Sequence, residues 1–504
     1  MGSKPLYCFG SEGVFCTVEG LRCTADGLNV PNVLLRLENQ KNDHLAILSY
    51  LNRKLVIKLL LFCCLLLTLL SGCSTDSSLS KTGPPNIVLI FTDDLGYGDL
   101  SNYGHPTIRT PHLDEMAREG IKFTSFYAAA PVCTPSRAAL LTGRYPIRHT
   151  PFNFGPESTN GLPVDEVTIA DLLAEQGYAT MAVGKWHLGH LPEYLPTANG
   201  FDHFYGLPYS NDMILPWCPW LSETDTLFMY EDDQPAQVIN FDQEGLTETY
   251  TERAIQFIKN HREEPFFLYL AHSMPHLPIS ASERFRGKSN GGLYGDVIEA
   301  LDWSTGEILS ALQELDLDDN TIVIFTSDNG PWQNLPDRML QRGVEPWHGG
   351  SAGPLRGAKA TTWEGGFRVP CMVRWPGRIP AGQVSDAMVS TMDLFITLAQ
   401  LGGATMPTDR PIDGHDIWPL IAGETPDAPT EPFFYLWLDS LQAVREGPWK
   451  LRMAYPEPIQ LYHLDRDPAE RYNVADQHPE RVEALRQRMV TFAEETGAKM
   501  SKAE

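Results

Sequence analysis

Continuous apolar runs and amphipathic segments alternate along the chain between residues 86 and 330. Residues 87–91 and 322–325 are uninterrupted apolar runs, a pattern typical of strands buried on both faces of a parallel sheet. The segments between them predict helices over 110–118, 169–173, 254–258 and 297–315, and strands over 121–126, 178–183 and 266–270. This alternation predicts an α/β fold in which helices cover both faces of a large, mostly parallel sheet.

The pattern changes beyond residue 423, where the apolar segments become shorter. They predict a small antiparallel sheet over 433–438, 442–445, 449–453 and 459–462. An amphipathic helix that carries Val482, Leu485, Met489 and Phe492 would close this sheet. We therefore predict a main domain over 86–423 and a smaller C-terminal subdomain over 424–504. The alternative is that the second segment only completes the main domain.

The N-terminal part of the chain predicts export. Residues 1–50 carry no motif, and our hypothesis is that they are an artefact of the gene model. Residues 51–73 have the sequence of regions typical of a secretory signal: a basic region, an apolar region and a small-residue end. The apolar run over 55–70 is shorter than the ~20 residues of a membrane span. An uncleaved signal anchor is the alternative. Their end resembles a bacterial lipobox, which implies a lipid anchor at Cys73 in the periplasm or at the cell surface. A flexible tether over 74–85 would follow.

The charge balance excludes one class of partner. The chain has 504 residues, with 39 Lys and Arg against 64 Asp and Glu, which gives a formal net charge of −25. Nucleic acid is not expected as a partner, because no basic stripe is present to neutralise phosphates. An anionic substrate would need cations concentrated at its own site. The nine Cys residues show neither metal-site spacing nor a disulfide framework.

Oxygen-bearing side chains follow two of the predicted buried strands. Asp93 and Asp94 come after the first strand, and Asp328 and Asn329 come after the second. The carboxyl ends of parallel strands meet at one edge of a sheet, where ligands bind. Oxygen ligands suit calcium or magnesium, and a carboxylate–amide set without imidazole favours calcium. Adjacent carboxylates are often merely solvated, but two such pairs at buried strand ends predict a metal site.

A cysteine begins the most restrictive motif of the chain, Cys133-Thr134-Pro135-Ser136-Arg137 followed by Leu141-Thr142-Gly143-Arg144. The motif predicts a helix with Thr134 as its N-cap and Pro135 in the first turn. Cys133 would then lie at the helix N-terminus, where backbone N–H groups favour an anion. The alternative is a structural thiol before an ordinary helix. The motif resembles the signature of the type I sulfatases, formylglycine-dependent members of the alkaline phosphatase superfamily.

That resemblance implies an alkaline-phosphatase-like fold and a modified residue at position 133. In the family, a formylglycine-generating enzyme oxidises the cysteine, and one hydroxyl of the hydrated aldehyde attacks the sulfur of a sulfate ester. The second hydroxyl then expels sulfate and regenerates the aldehyde. The two oxygen-bearing pairs would hold one Ca²⁺, which also contacts residue 133.

The segment 177–187 resembles the second signature of the family. It carries Lys185 and His187, which are alternate positions that face one way if extended geometry continues. By the resemblance, Lys185 and Arg137 would hold the formylglycine. His187 would take the proton released when sulfate is expelled.

Later segments supply the remaining matches. His276 matches the sulfate-binding histidine of the family and would protonate the departing alcohol, whereas His272 would be a packing neighbour. Lys359 matches the second active-site lysine and would stabilise charge at the same oxygen. Ser210 matches a hydroxyl of the pocket more loosely. Together with Lys185, these groups would bind the substrate.

Residues 84–100 are nearly the opening sequence of the arylsulfatase A and N-acetylgalactosamine-6-sulfatase branch. The resemblance implies an enzyme that hydrolyses a sulfate ester of a small molecule or saccharide, with 86–423 as its catalytic domain. Two alternatives are a phosphonate or phosphate ester hydrolase of the same superfamily and a catalytically silent, lipid-anchored carbohydrate-binding protein. Trp217 and Trp220 lie outside the family pattern and are either rim residues for a sugar or core residues.

Overall fold

The computed structural model describes residues 83–222, 225–240, 243–426 and 429–500. The predicted export signal over 51–73 and its Cys73 anchor lie outside these residues, as do 1–50 and most of the tether, and they stay predictions. Within the described ranges, none of the helices combines the length and the apolar character that crossing a membrane requires.

Eleven strands form one large sheet. Their bounds are β1 (Asn86–Thr92), β2 (Ile121–Tyr127), β3 (Ala179–Lys185), β4 (His203–Leu207), β5 (Phe228–Glu231), β6 (Gln234–Val238), β7 (Phe266–Ala271), β8 (Thr321–Ser327), β9 (Arg368–Arg374), β10 (Gln383–Ser385) and β11 (Val389–Ser390). The order is β10-β2-β9-β8-β1-β7-β3-β4-β5-β6, with β11 beside β2. The central strands β8, β1, β7, β3 and β4 run parallel, whereas β5 and β9 oppose their neighbours. The prediction of a large, mostly parallel sheet is confirmed.

Helices cover both faces of this sheet, as the alternation predicts. Their bounds are α1 (Pro111–Glu119), α2 (Cys133–Thr142), α3 (Ile169–Ala174), α4 (Leu246–Asn260), α5 (Gly292–Glu314), α6 (Glu364–Phe367), α7 (Thr391–Leu401), α8 (Trp418–Ile421) and α9 (Pro479–Thr496). Along β1, Ile87, Leu89 and Phe91 belong to a buried cluster with residues of α2, α3 and α7. Val88 and Ile90 belong to the opposite cluster, with residues of α1, α4 and α5. Successive side chains of a strand point to opposite faces, so β1 is buried on both sides.

A second, small sheet lies near the C-terminal end of the chain. Its strands are β12 (Phe433–Trp437), β13 (Ser440–Glu446), β14 (Trp449–Arg452), β15 (Gln460–His463) and β16 (Lys499–Met500). The strands from β12 to β15 pair antiparallel, and β16 runs parallel to β13. Leu485, Met489 and Phe492 of α9 share one apolar cluster with this sheet and with Tyr127 of β2. The predicted small sheet and its helix are confirmed, and the domain boundary at residue 423 stays a prediction.

The apolar pattern of the sequence does not predict strands β4, β5, β6 and β9. β5 and β6 form a hairpin at the edge of the large sheet, and every residue of β6 is exposed, so no buried face marks it. β9 lies between β8 and β2, yet it contains Pro370, which argues against a central strand when only the sequence is considered. At β9, pairing with the distant strands β2 and β8 overrides the local signal.

Candidate active site

The predicted site residues lie where the central strands of the large sheet end. β1 has β8 on one side and β7 on the other, with β3 next to β7. Asp93 and Asp94 follow β1, Asp328 and Asn329 follow β8, and Lys185 is the last residue of β3. The carboxyl ends of parallel strands therefore bring these side chains to one edge, where ligands bind in α/β sheets.

Cys133 is the first residue of helix α2, and it is buried beside this edge. Its Sγ lies 3.4 Å from Asp93 Oδ1 and 3.5 Å from Lys359 Nζ. Burial and the neighbouring Asp93 carboxylate raise the pKa of the Cys133 thiol. The side chain is thus a neutral thiol in contact with one acidic and one basic partner.

Thr134 does not cap this helix, so that prediction is wrong. The N-cap is Val132, and the Thr134 hydroxyl instead donates to the carbonyl oxygen of His187 at 2.9 Å. A hydrogen bond between distant segments has taken the place of the local cap. The condition under which Lys185 and His187 would face one way is not met either. Strand β3 ends at Lys185, and the backbone of His187 is left-handed instead of extended.

Three carboxylates and three cations form buried ion pairs at the sheet edge. The acids are Asp93, Asp94 and Asp328, and the cations are Arg137, Lys185 and Lys359. Lys185 Nζ donates to Asp93 Oδ2 at 2.6 Å. Lys359 Nζ donates to Asp94 Oδ2 at 2.8 Å. Arg137 donates from Nε and Nη2 to Asp328 Oδ2, at 3.1 and 2.8 Å. The formal charges balance, as buried charges require.

Burial and ion pairing act in opposite directions on the three carboxyl groups. Burial alone would raise the pKa of Asp93, but Lys185 and other nearby cations hold that pKa well below its usual range. Burial raises the pKa of Asp94 in spite of its bond to Lys359. Burial and the Asp93 charge raise the pKa of Asp328 to about 7. Asp93 is therefore the carboxyl group held most firmly in its charged form.

Ser210 and His187 border the same cluster. Lys185 Nζ donates to Ser210 Oγ at 3.2 Å. His187 Nε2 lies 2.8 Å from the carbonyl oxygen of Phe154, which can only accept, so Nε2 carries the ring proton. Among the described residues, the buried Nδ1 of His187 has no hydrogen-bond partner. Burial and the Lys185 charge lower the pKa of His187 well below its usual value, so the ring presents an unprotonated nitrogen.

His276 is oriented by residues that the sequence does not single out. Its Nδ1 lies 2.5 Å from the carbonyl oxygen of Leu277 and 3.1 Å from Asn211 Oδ1. The Asn211 amide points its oxygen at His276 because its Nδ2 donates to Gln243 Oε1 at 3.0 Å. Both neighbours of Nδ1 are acceptors, so Nδ1 carries the proton and Nε2 faces Asp94, 3.7 Å from Oδ2. The only sequence signal for Asn211 is its place beside Ser210.

Two carboxylates, a thiol and an imidazole form a buried group that could hold a metal ion. The predicted ligand Asp328 is not part of it and instead accepts two hydrogen bonds from Arg137. Ligand atoms of Asp93, Asp94, Cys133 and His276 all lie within 4.8 Å of one another. Asn329 Nδ2 donates to Asp94 Oδ1 at 2.7 Å, while the buried Asn329 Oδ1 has no hydrogen-bond partner among the residues described. Buried polar atoms are normally paired, so this amide oxygen has bonding capacity that a cation could use, and carboxylate and amide oxygens are ligands that calcium prefers.

Three residues around the cluster have left-handed backbone conformations although none is glycine. The φ angle is 65° at Asp94, 63° at His187 and 65° at Ala360, which follows Lys359. Such conformations cost on the order of 1–3 kcal/mol each and concentrate at functional sites. The strained positions are therefore two predicted site residues, Asp94 and His187, and the residue that follows Lys359.

Burial distinguishes the residues whose place the sequence leaves open. His272 is buried, and its Nε2 lies 3.1 Å from Ser304 Oγ on α5, so it packs against that helix. Trp217 is 3% exposed and belongs to the core, whereas Trp220 is 63% exposed. Only the second of these indoles is a surface residue.

Known proteins match this chain over both of its sheets. The sulfatase family model matches residues 85–404, and the model of the C-terminal region of N-sulphoglucosamine sulphohydrolase matches residues 358–495. N-acetylgalactosamine-6-sulfatase of Homo sapiens is 39% identical over 448 residues, which cover 80% of this chain and 84% of that protein. Arylsulfatase A of Bos taurus is 38% identical over 466 residues, which cover 82% of this chain and 88% of that protein.

A solved structure shows the same architecture. It comes from work on the metabolism of multiple glycosaminoglycans by Bacteroides thetaiotaomicron, with a TM-score of 0.71 and 32% identity. The match covers 82% of this chain and 99% of that one. The strand-end carboxylates, the Cys133 helix and these matches agree: the chain belongs to the sulfatase family of sulfuric ester hydrolases.

Proposed function

We propose that this chain hydrolyses a sulfate ester of a carbohydrate, releasing the alcohol and inorganic sulfate. One relative is named for N-acetylgalactosamine 6-sulfate, and one solved relative comes from work on glycosaminoglycan metabolism. The observation that carries the proposal is the position of Cys133. It lies at the N-terminus of a buried helix, in contact with Asp93 and Lys359 at the edge where the strands end.

We propose also that a formylglycine-generating enzyme converts Cys133 to formylglycine. The hydrate of that residue would supply the hydroxyl that attacks sulfur. One Ca²⁺ would supply positive charge for the sulfate oxygens, held by residue 133 and the strand-end ligands Asp93, Asp94, Asp328 and Asn329. The unpaired Asn329 Oδ1 supports this ligand set, and the neutral thiol supports the modification, because a neutral thiol is a poor nucleophile.

The three cations of the cluster would hold residue 133 and the sulfate group. Lys185 bonds to Ser210, and Lys359 Nζ lies 3.5 Å from Cys133 Sγ, so both lysines lie close to the reacting atoms. Arg137 donates from Nη1 to the Lys185 carbonyl oxygen at 2.9 Å and so fixes the end of β3. Charges that are already in place stabilise the transition state without reorganisation.

The two histidines would divide the proton transfers. His187 offers its unpaired Nδ1 as the base that takes a proton from residue 133 when sulfate is expelled. A sugar alkoxide is too basic to leave unprotonated, so an acid is needed on the other side. Burial and the Lys359 charge lower the pKa of His276 well below its usual value, so Nε2, which faces Asp94, would gain a proton only when an anionic substrate binds beside it. His276 would then protonate the departing oxygen from Nε2, with Lys359 stabilising charge there.

Mass spectrometry of the active enzyme tests the modification directly. The peptide that contains residue 133 should be lighter by the change from thiol to aldehyde, and Cys133→Ala should abolish turnover. In an expression host without a formylglycine-generating enzyme, specific activity should fall with the modified fraction. Full activity from protein that retains the Cys133 thiol would refute the mechanism.

Substrate comparison separates the reaction classes. Faster hydrolysis of an aryl sulfate than of the matching aryl phosphate supports a sulfatase, and the reverse order would favour a phosphate ester hydrolase. A chain that binds sulfated saccharides but releases no sulfate, even with residue 133 modified, would be a binding protein. A panel of sulfated sugars, steroids and lipids then tests the carbohydrate assignment, which activity on steroid or lipid sulfates alone would overturn.

Export and lipid anchoring at Cys73 are a separate proposal, supported by the sequence of the signal. Labelling with a radioactive fatty acid should mark the chain in a bacterial host, and Cys73→Ser should lose the label and enter the soluble fraction. Membrane retention of unlabelled Cys73→Ser would instead support an uncleaved signal anchor.

A further inference from the structure

An aromatic and cationic rim leads outward from the candidate active site. The Trp332 ring centroid lies 4.7 Å from Lys359 Nζ and 5.3 Å from the ring centroid of His276. The guanidinium carbon of Arg338 lies 5.7 Å from the Trp332 centroid and 5.3 Å from the Trp220 centroid. We call Trp332, Arg338 and Trp220 the rim triad. Side-chain exposure increases outward from the site, from the nearly buried Lys359 beside Trp332, through the partly exposed Arg338, to the exposed Trp220.

Arg338 is held in a defined position. Its Nη1 donates to the carbonyl oxygen of Trp217 and lies 3.6 Å from Asp212 Oδ2. The indole rings of Trp220 and Trp332 lie within cation–π distance of the same guanidinium. Among the described residues, neither Nε nor Nη2 of Arg338 has a hydrogen-bond partner. That edge of the guanidinium is a planar fork that matches a carboxylate or sulfate group.

Trp220 exposes an indole ring that the core does not use. At 63% exposure its ring is open to water, and what distinguishes it from other exposed aromatics is its place beside Arg338, on the path to the candidate active site. Flat aromatic faces beside a polar, charged centre suit a ligand that is itself partly apolar and partly polar, such as a sugar.

We propose that Trp220 and Arg338 of the rim triad bind the sugar next to the one that carries the scissile sulfate, and that Arg338 recognises an anionic group on that neighbouring sugar. The anionic group is a carboxylate or a second sulfate ester. Trp332 would contact the sugar that is cleaved, since it already lies against Lys359 and His276. This assignment rests on the proposed function. A chain with a net charge of −25 repels an anionic oligosaccharide, and a cation on the approach path offsets that repulsion locally.

Four substrates test the assignment. They are a sulfated N-acetylhexosamine linked to glucuronate, the same disaccharide with its carboxyl group reduced to an alcohol, the disaccharide with a neutral neighbour that carries a second sulfate, and nitrocatechol sulfate. Arg338→Gln should lower kcat/KM for an anionic disaccharide roughly tenfold more than for nitrocatechol sulfate, mainly through KM, because it removes a charge-assisted hydrogen bond. The carboxyl-reduced disaccharide should not show this extra loss. Whether the glucuronate or the disulfated substrate loses more identifies the anion.

Further variants keep the test decisive. Trp220→Ala removes an exposed ring with no core contact, and it should weaken all the disaccharides by roughly threefold or more relative to nitrocatechol sulfate. Arg338→Lys keeps the charge without the fork and should lie between wild type and Arg338→Gln. The matched controls Arg486→Gln and Tyr472→Ala remove an exposed cation and an exposed aromatic near the C-terminus, and they should leave all four rates unchanged.

Two failures are distinguishable. If wild type hydrolyses sulfate esters but Arg338→Gln and Trp220→Ala slow every substrate by the same factor, the rim triad only supports the loops, and this assignment is wrong. If wild type with modified residue 133 hydrolyses no sulfate ester, the proposed function itself is wrong. Thermal unfolding of each variant shows whether an equal loss of activity on all substrates comes from misfolding. If Arg338→Gln is misfolded, the substrate selectivity of Trp220→Ala, which changes an exposed residue, decides the question.

Discussion

The molecule contains two buried ionic clusters built from the same kinds of side chains. The active-site cluster consists of Asp93, Asp94, Asp328, Arg137, Lys185 and Lys359. The inter-sheet cluster lies between the large and the small sheet and consists of Glu364, Glu470, Lys450 and Arg445. In it, Lys450 Nζ lies 3.0 Å from Glu364 Oε1 and 2.8 Å from Glu470 Oε1. Both clusters pair acids with cations away from water, so burial of charge alone does not distinguish them.

The inter-sheet cluster pairs its buried charges internally. Glu470 has a left-handed backbone and its Oε1 accepts no hydrogen bond from the described residues, but that oxygen lies 2.8 Å from the Lys450 ammonium. Glu364 accepts hydrogen bonds from the hydroxyls of Tyr127 and Tyr435 on its two oxygens, and its backbone N–H donates to Glu470 Oε2 at 2.8 Å. Burial would raise the pKa of Glu364, but Lys450 and other cations lower it to about 2. These bonds tie β2 to the small sheet.

Among the residues that the structure describes, two buried atoms beside the active-site cluster have neither a hydrogen-bond partner nor an ion-pair partner. Asn329 Oδ1 and His187 Nδ1 have no partner within the described part of the chain. Asp94 and His187 have left-handed backbones, and Lys359 reaches partly into solvent. Buried polar groups are normally satisfied, so these exceptions mark bonds that a ligand or metal would complete. The comparison teaches that buried polar atoms without a partner of either kind, rather than buried charge or backbone strain, separate the candidate site from the inter-sheet cluster.

The same substitution in each cluster tests this difference, beginning with Lys450→Met. It leaves Glu364 and Glu470 buried without their shared cation, and we expect the free energy of unfolding to fall by about 3–5 kcal/mol. Denaturant unfolding measures that loss. Turnover per folded molecule should stay near wild type at low temperature. A stable Lys450→Met variant with lost turnover would show that the inter-sheet cluster serves catalysis.

Lys185→Met is the matching change in the active-site cluster. It removes the cation that bonds Asp93 and Ser210, and we expect kcat/KM on an aryl sulfate to fall by about 10²- to 10³-fold, the usual loss for one electrostatic contact at a reacting centre. Stability should fall less than in Lys450→Met, because Arg137 remains 3.5 Å from Asp93. Steady-state kinetics and unfolding of the same preparation decide. A Lys185→Met variant that loses stability but keeps kcat/KM would contradict the distinction.

Titration of Glu470 sharpens the comparison. Burial raises the pKa of Glu470 from 4.5 to about 7, although Lys450 opposes the shift. The folded chain therefore binds more protons than the unfolded chain between pH 4.5 and about 7. The stability from this group is complete below pH 4.5 and is lost as the pH rises through about 7. Glu470→Gln should flatten that part of the profile of unfolding free energy against pH, and an unchanged slope would show that Glu470 does not titrate there.

The order of apolar and polar residues within a single segment was sufficient to predict those site residues whose position depends on that segment alone. Asp93 and Asp328 directly follow uninterrupted apolar strands, and Cys133 lies in a restrictive motif, so their places at the sheet edge could be predicted. Contacts between distant segments could not be predicted in the same way. Glu364 bonds a residue 106 positions away, and the Thr134 hydroxyl bonds a carbonyl 53 positions away instead of capping its own helix. A cap is worth only about 1 kcal/mol, so a tertiary bond can replace it.

Neutral side chains hold charged or catalytic groups in place in both regions. The smallest effect on the rate of hydrolysis is expected when one of these, Asn211, is replaced. Asn211 Oδ1 accepts the Nδ1 proton of His276 at 3.1 Å, but the carbonyl oxygen of Leu277 accepts it too, at 2.5 Å. Removing one of two acceptors should loosen the ring without releasing it. We expect Asn211→Leu to slow hydrolysis of a sugar sulfate about tenfold, a loss typical of a misplaced catalytic group, and to slow nitrocatechol sulfate much less.

The selectivity follows from the leaving group. A sugar oxygen needs a proton as it departs, whereas nitrocatecholate leaves without one, so only the first depends on where His276 Nε2 points. His276→Ala should show the same selectivity with a larger loss, and Asn211→Asp, which keeps an acceptor in place, should lie closer to wild type than Asn211→Leu. If Asn211→Leu and His276→Ala slow both esters by the same factor, His276 binds sulfate but is not the acid, and the neutral network around it positions a ligand contact instead of a proton.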